Sequence, residues 1–599
     1  MNKYFNEPIS SLIWDLKYRY RQGDQIIDQT IEDTWRRTAK AAASVEKSAA
    51  QTQWEQDFFN ILSDFHFLPG GRILAGAGTT HQVTLFNCFV MNIPEDSMAG
   101  IFSALTEGAL TLQQGGGVGY DFSVLRPHGD LAKRTGIPAS GPVSFMRIWD
   151  TTCSVLLSTG ARRGAMMGVL RCDHPDIEKF ITAKADAREL RHFNVSVMVS
   201  DEFMRAVKED ADWALVFPVD EHERAGEIVY RRFSSREEIP CRVYCYVKAR
   251  ELWQKIIRNA YDYAEPGVLF GGTINRNNNL WYREYIAATN PCGEIPLPIY
   301  GACNLGAVNL TKFIVDPFSQ QAKINWRNLL KTVKTGTRFL DNIIDVSHYP
   351  LPAQRAEAIG TRRIGLGITG LADALVMLNI EYGSDKSIAL AKEIMQKIAD
   401  VTWQTSIELA KEKGKFTFYT DDYLKGEFVK TLAPELQNEI KKFGVRNSHH
   451  NTIAPAGTIS LLANNISNGI EPIFKAHYQR TVRGFEKEPK SFVVHDYAYQ
   501  LWRKTNNGMP SAWIDTNALT PHAHLKVQAA MQPFIDNAIS KTINIPHDFP
   551  FEKLSDIYTQ AYQFGLKGCT IFRPNPVTGS VLQAITSDED AADERCCQI

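Results

Sequence analysis

Asn290-Pro291-Cys292-Gly293-Glu294-Ile295-Pro296-Leu297, running on through Cys303-Asn304-Leu305-Gly306 to Leu310, is the stretch on which the reading of this chain turns. A thiol and a carboxylate sit two residues apart. Pro fixes φ and Gly permits tight or left-handed backbone, so the segment reads as a sharp loop rather than the interior of a helix or strand. Drawn out as an extended chain it projects Asn290, Cys292 and Glu294 to one side. That gathers a hydrogen-atom or electron donor, a base and an amide on one small surface. Taken alone, a C-x-E pair is more often a buried structural Cys beside a solvated Glu, because free Cys is mostly a core residue.

The rest of the composition bounds the class. The chain has 599 residues, 44% hydrophobic and 22% charged, with a net charge of −1. That is ordinary for a large soluble enzyme and shows no bulk electrostatic signature of a nucleic-acid binder. Nucleotides as small substrates stay open, since a local phosphate site needs no global charge. The N-terminus lacks the apolar core of a signal peptide, and no run of 18 apolar residues predicts a membrane span. Ten Cys in such a chain point to reduced thiols, catalysis or metal rather than a disulfide framework, and so to a cytoplasmic protein.

Along the chain, residues 1–66 read as a helical region, with helices over Ile9 to Tyr20, Thr30 to Ala49 and Trp54 to Phe67, a packing layer with no visible chemistry. Residues 67–580 alternate strands and helices, which favours an α/β fold, most simply a barrel. Strands are predicted over His192 to Val199 and Ala214 to Val219, with Asp201 capping the next helix. A long amphipathic helix is predicted over Ser384 to Lys413, stopped by Gly414. Gln113-Gln114-Gly115-Gly116-Gly117-Val118-Gly119 reads as a turn that brings backbone N–H groups close to a ligand. Residues 581–599 form an acidic tail, predicted to be mobile, ending in Cys596-Cys597-Gln598-Ile599. Gly365-Leu366-Gly367-Ile368-Thr369-Gly370 matches G-x-G-x-x-G, but Thr361-Arg362-Arg363 precedes it where an apolar strand should stand, so it reads as close helix packing. Cys241 and Cys245 lack a second ligand pair, and His449-His450 reads as two surface or loop imidazoles, so no metal site is expected.

Several stretches, in order, resemble ribonucleotide reductase: Phe86-Asn87-Cys88; Gly160-Ala161-Arg162-Arg163-Gly164-Ala165-Met166-Met167-Gly168; Glu265-Pro266-Gly267; Asn290 to Glu294; Cys303-Asn304-Leu305-Gly306; Arg363-Ile364-Gly365-Leu366-Gly367; Ala454 to Ser460; and Gly469-Ile470-Glu471-Pro472. The resemblance implies a ten-stranded α/β barrel with a central finger loop, preceded by the small helical region. Cys292 would sit at the tip of that loop as the thiyl radical that takes the ribose 3′ hydrogen. Glu294 would be base on the 3′-OH, and Asn290 would orient the substrate. Cys88 and Cys303 would be the reducing pair, close enough for a disulfide although 215 positions separate them. Cys596 and Cys597 would carry reducing equivalents from a thioredoxin-like reductant, by the direct thiolate attack that exchange demands. Their adjacency departs from the spaced pair usual in the family, and a vicinal disulfide is a strained ring. Asn87 and the Pro455-Ala456-Gly457-Thr458-Ile459-Ser460 loop would bind substrate, the loop taking the phosphates. Asp96, Ser97 and Arg162 would belong to an allosteric system in which a deoxynucleotide or ATP tunes substrate choice across a homodimer.

Within the family the radical source divides the classes. No Tyr-Tyr dipeptide occurs in the chain, and Lys567-Gly568-Cys569-Thr570-Ile571-Phe572-Arg573-Pro574-Asn575 stands where a radical-importing Tyr pair would be. Phe has no O–H to lose. The wording resembles the adenosylcobalamin-dependent class, acting on ribonucleoside diphosphates. The alternatives are a class I catalytic subunit needing a radical-generating partner, and a silent nucleotide-binding regulator on the same fold. The N-terminal pattern lacks the family's ATP cone, so specificity control without dATP shut-off is expected.

Overall fold

The computed structural model describes residues 3–574 and 583–584, apart from 133–134, 159–161, 187, 221–225, 234–235 and 483–489. Three helices open the chain: α1, Pro8–Lys17; α2, Ile31–Ala43; and α3, Gln51–Leu62. In α2 the Thr30 N–H donates to Asp33 Oδ2 at 2.7 Å, half of a capping box that satisfies donors the first turn leaves open. Ile31, Thr34, Trp35, Thr38, Ala39 and Ala42 recur at helical spacing and are buried. Trp35 meets Phe65 edge-on at 5.3 Å.

This layer is tied to the rest by charge as well as by apolar contact. Arg338, on the helix Trp326–Val346, grips Glu46 through Nε and Nη2, each at 2.7 Å. Lys413, at the end of the helix Asp385–Lys413, reaches Glu46 Oε1 at 2.9 Å. Ser384 caps that helix and Gly414 ends it, as the sequence predicts.

The remainder is a barrel of two parallel halves. The first half holds β1, Cys88–Val90; β2, Gly117–Asp121; β3, Met166–Arg171; β4, Phe193–Val199; and β5, Gly267–Phe270, each parallel to the next. The second holds β6, Ala302–Asn309, parallel to β7, Ile364–Thr369, and β8, Thr542–Asn544, parallel to β9, Gly568–Phe572. Parallel bridges Leu366–Asn451 and Ile453–Ile539 carry the sheet from β7 through residues 451–453 to the segment entering β8, which makes the tenth stave and closes the ring. The halves meet antiparallel, β6 on β1 and β9 on β5. Phe67–Pro69 pairs with β6 outside the ring.

Between β5 and β6 the chain turns back through the barrel as a finger. Its limbs, Ala288–Thr289 and Pro296–Leu297, pair antiparallel. A clear lane in the wall admits it: a Cβ on Gly119 would stand 1.9 Å from the Thr289 carbonyl oxygen, so no other residue fits there.

Three local expectations are corrected. Gly365 to Gly370 is not helix packing: most of it is strand β7, its glycines set against Thr452 on the next stave. Ser200, not Asp201, caps the helix after β4, because its Oγ accepts the Phe203 N–H at 3.1 Å. His449 and His450 are buried, not surface imidazoles. His450 Nδ1 lies 3.0 Å from Asp536 Oδ2, and Arg363 Nε donates to His449 Nδ1 at 3.2 Å. Burial and the Arg363 charge hold His449 well below the usual imidazole range.

Candidate active site

At the finger tip the backbone reverses in one turn. The Gly293 N–H donates to the Asn290 carbonyl at 3.1 Å with Gly293 at φ +80°, a left-handed conformation that glycine adopts without strain. Asn290 Oδ1 accepts the Ile295 N–H at 2.9 Å and braces the turn from inside. The Glu294 carbonyl is held by Thr452 Oγ1 and the Ala538 N–H, both at 2.9 Å, so the returning limb is moored to the second half-barrel. The tip is a turn rather than an extended chain, yet Asn290, Cys292 and Glu294 still come to one cavity. Asn290 and Glu294 are buried, while Cys292 between them is exposed.

The two remaining thiols arrive from the wall. The β1–β6 register places Cys88 directly opposite Cys303. Facing residues in an antiparallel pair have Cα atoms about 4.5–5.5 Å apart, inside the roughly 4.4–6.8 Å that a disulfide spans. Both are free thiols here and both are buried. Cys88 also meets the finger: Asn290 Nδ2 donates to its sulfur at 3.2 Å, and its thiol points at Glu294 Oε1 at 3.8 Å.

Burial sets the protonation states. It pushes the Glu294 carboxyl up to about 7, against the lowering pull of hydrogen bonds from Asn290 and Cys88. Burial also lifts both wall thiols, Cys88 with Glu294 beside it and Cys303 despite the nearby Arg363 charge. The pair is therefore held as neutral thiols, able to give a proton, next to a carboxyl poised between acid and base near neutral pH.

These groups open on one cavity of about 260 Å³. Asn87, Cys88, Asn290, Cys292 and Glu294 line it, with Gly115–Gly117, Gly164–Ala165 and the Pro455–Ile459 loop. Cys303 is not on the lining but is the cross-strand partner of Cys88. Ser460 also lies off the lining, its hydroxyl donating to the Gly457 carbonyl at 3.0 Å. The loop leads into the helix Gly457–Leu462, and a Cβ on Gly457 would meet nothing within 4 Å, so this backbone faces open space.

Asp96 and Ser97 stand elsewhere. Arg126 pairs with Asp96 at 2.6 Å, and Ser97 caps the helix Met98–Gln113. The side chain of Arg162, together with Cys596 and Cys597, lies outside the described residues. Arg72 and Arg480 line the cavity and were not expected. Neither lies in a motif that announces chemistry; it is the strand His477–Val482 that sets Arg480 on the same side as buried Tyr478.

A family model described as ribonucleotide reductase, barrel domain, matches residues 86–572, and one described as ribonucleotide reductase, all-alpha domain, matches residues 4–82. The chain belongs to the ribonucleotide reductase family. A vitamin B12-dependent ribonucleoside-diphosphate reductase of Mycobacterium tuberculosis strain CDC 1551 is 36% identical, over 92% of this chain and 76% of its own. One of the same name from Thermoplasma acidophilum is 34% identical, over 96% and 72%. The ribonucleoside-diphosphate reductase subunit alpha of Chlamydia pneumoniae is more distant, 25% identical over 94% and 59%. Among the described residues no helix is long and apolar enough to cross a membrane.

Proposed function

We propose that the chain reduces ribonucleoside diphosphates to 2′-deoxyribonucleoside diphosphates by thiyl-radical chemistry, with adenosylcobalamin as the radical source. The observation that carries this reading is Cys88 at one cavity with Asn290, Cys292 and Glu294, and Cys303 directly opposite Cys88 in the strand register. Cys292 takes the ribose 3′ hydrogen and later returns it. An S–H bond is close in strength to an activated C–H bond, so the transfer runs both ways. Glu294 accepts the 3′-OH proton, and Asn290 orients the ribose. Cys88 gives a proton to the departing 2′-OH, which leaves as water. Cys88 and Cys303 supply the two electrons and end as a disulfide.

The cofactor reading is supported by the names of the relatives and by the far flank of the finger. Asn194 and Thr570, on β4 and β9, are exposed. Asn194 Nδ2 donates to the Pro291 carbonyl at 2.7 Å, next to Cys292. At Gly267 a Cβ would crowd Ser196 Oγ and Thr570 Oγ1, at 3.0 and 3.3 Å, so the glycine keeps space open between them. Small polar side chains beside an accessible position fit a bulky cofactor's reactive end; exposed Asn194 and Thr570, with buried Ser196 behind the Gly267 gap, would hold it. When bound, adenosylcobalamin supplies a carbon-centred radical by homolysis of its cobalt–carbon bond.

Regulation and re-reduction belong to the same reading. The helix Met98–Gln113 runs from Ser97 to the glycine turn at the cavity, roughly 24 Å at 1.5 Å per residue. It can couple an effector near Asp96 and Ser97, with Arg162, to the substrate. Met98 and Phe102 on it, and Val155 on the nearby helix Pro142–Val155, are exposed apolar residues that suit a homodimer face. Gln583–Ala584, where the tail begins, pairs with Tyr478 and Gln479, the strand that brings Arg480 to the cavity. The last described residues thus end on the strand that carries Arg480, and Cys596 and Cys597 further along the chain would re-reduce the site, with a thioredoxin-like protein as final donor in the cytoplasm.

The test is anaerobic conversion of CDP to dCDP by the purified chain with dithiothreitol and dTTP, dATP or ATP, with and without adenosylcobalamin. Turnover only with the cofactor supports the reading. Turnover only on adding a second, metal-bearing subunit overturns the cofactor assignment.

A further inference from the structure

Among the described residues that line the cavity, three buried polar atoms have no hydrogen-bond partner: Asn87 Oδ1, Glu294 Oε2 and Arg480 Nε. Two are acceptors once Glu294 is ionised, and one is a cationic donor. Buried polar atoms left unpaired are costly, so a ligand that matches them is favoured. On the substrate reading above, ribose hydroxyls can donate to the first two and a phosphate can accept from the third.

The position of Arg480 says which end of the substrate it serves. It lies on the strand His477–Val482, where Tyr478 and Arg480 turn inward and His477 and Gln479 outward. The Arg480 charge acts on the Tyr478 side chain, two residues back on the same strand. The Tyr478 hydroxyl donates to Asn465 Oδ1 at 2.9 Å, and the neighbouring Ile466 N–H donates to the Ser460 carbonyl at 3.3 Å. The strand that carries the guanidinium is thus tied, through Tyr478 and the Asn465–Ile466 segment, to the helix Gly457–Leu462. That helix has only six residues, and the Ala456 N–H is already spent on Asn468 Oδ1. So short a helix is a weak counter to a diphosphate, whereas a guanidinium offers charge and directed donors together.

We propose that Arg480 binds the terminal phosphate of the substrate and sets the preference for nucleoside diphosphates over monophosphates. It is a specificity residue in contact with substrate, remote from the bonds that change.

The experiment measures CDP and CMP binding by calorimetry, and kcat and KM with adenosylcobalamin, for the full chain and for Arg480→Met and Arg480→Lys. Arg480→Met is expected to weaken CDP about 10- to 100-fold, the range for a hydrogen bond to a charged group. CMP affinity should stay within about twofold, and kcat at saturating CDP should hold. Arg480→Lys should recover part of the loss. Equal losses for CDP and CMP, or none for either, overturn the proposal; if Arg480→Met does not fold, the CDP-to-CMP ratio of Arg480→Lys decides in the same way. A wild-type chain that prefers CDP to CMP but never reduces it refutes the reductase reading and leaves the Arg480 comparison standing. Turnover of CDP with KM unchanged in Arg480→Met does the reverse.

Discussion

Glu46 and Glu294 are both withdrawn from water, at 6% and 2% exposure, and the protein treats them oppositely. Burial alone would raise the Glu46 carboxyl, but hydrogen bonds from Arg338, Lys413 and Asn342 outweigh it and hold the group at about 2. Around Glu294 no cation answers, and burial carries the carboxyl to about 7. Its Oε2 has no partner, whereas Glu46 is held by two cations and an amide. What separates a tie between layers from a raised carboxyl is therefore counter-charge on Glu46 together with the deeper burial of Glu294.

That contrast can be broken most severely at the tip. Cys292→Ser should bring deoxynucleotide formation below detection while calorimetry shows CDP still binding; an unchanged rate would remove Cys292 from the chemistry. Next, Glu294→Gln should lower kcat by about 10²–10⁴, the usual worth of a positioned acid–base group. The wild-type rate should climb as pH rises through about 7, since the base form is needed, and this limb should vanish in Glu294→Gln. A variant that keeps the limb would show that another group titrates there.

Glu46→Ala should reverse the pattern. Leaving Arg338 buried and under-paired should cost about 3–5 kcal/mol in urea unfolding, with turnover per folded molecule unchanged. Loss of turnover without loss of stability would contradict the assignment. The smallest effect is in stability against pH. Glu46 has a folded value below its unfolded 4.5, so its contribution is complete above 4.5 and fades as pH falls through about 2. Glu294 has a folded value above 4.5, so its contribution is present below 4.5 and is lost as pH rises through about 7. Unfolding free energies of the two variants, followed across both ranges, should diverge from the wild type in opposite directions.

The turn at Asn290–Glu294 is legible because Pro and Gly restrict backbone locally, and the long helix ending at Lys413 because its period and stop signal are local too. The facing of Cys88 and Cys303 is not: it depends on a register between strands 215 positions apart, which only the family resemblance anticipated. Gly365 to Gly370 was misread because a strand buried on both faces lacks alternation, and Arg363 just before it is neutralised by Glu284, a residue 79 positions away. His449 and His450 look like polar surface until Asp536 and Arg363 are brought to them. The helical N-terminal layer shows no chemistry in its sequence, and Glu46, buried in it, is structural.

The short pairing of Gln583–Ala584 with the strand His477–Val482 has a kinetic consequence. Cys596 follows Ala584 by twelve residues, so wherever that segment goes its thiol stays within roughly 40 Å of the anchor, at about 3.3–3.6 Å per residue. One thiol confined to a sphere of that radius has a local concentration on the order of 6 mM, before any narrowing by excluded volume. On the proposed shuttle role, a dithiol in solution would need millimolar levels to match it, so severing the chain after Ala584 should make re-reduction of the Cys88–Cys303 pair depend on reductant concentration.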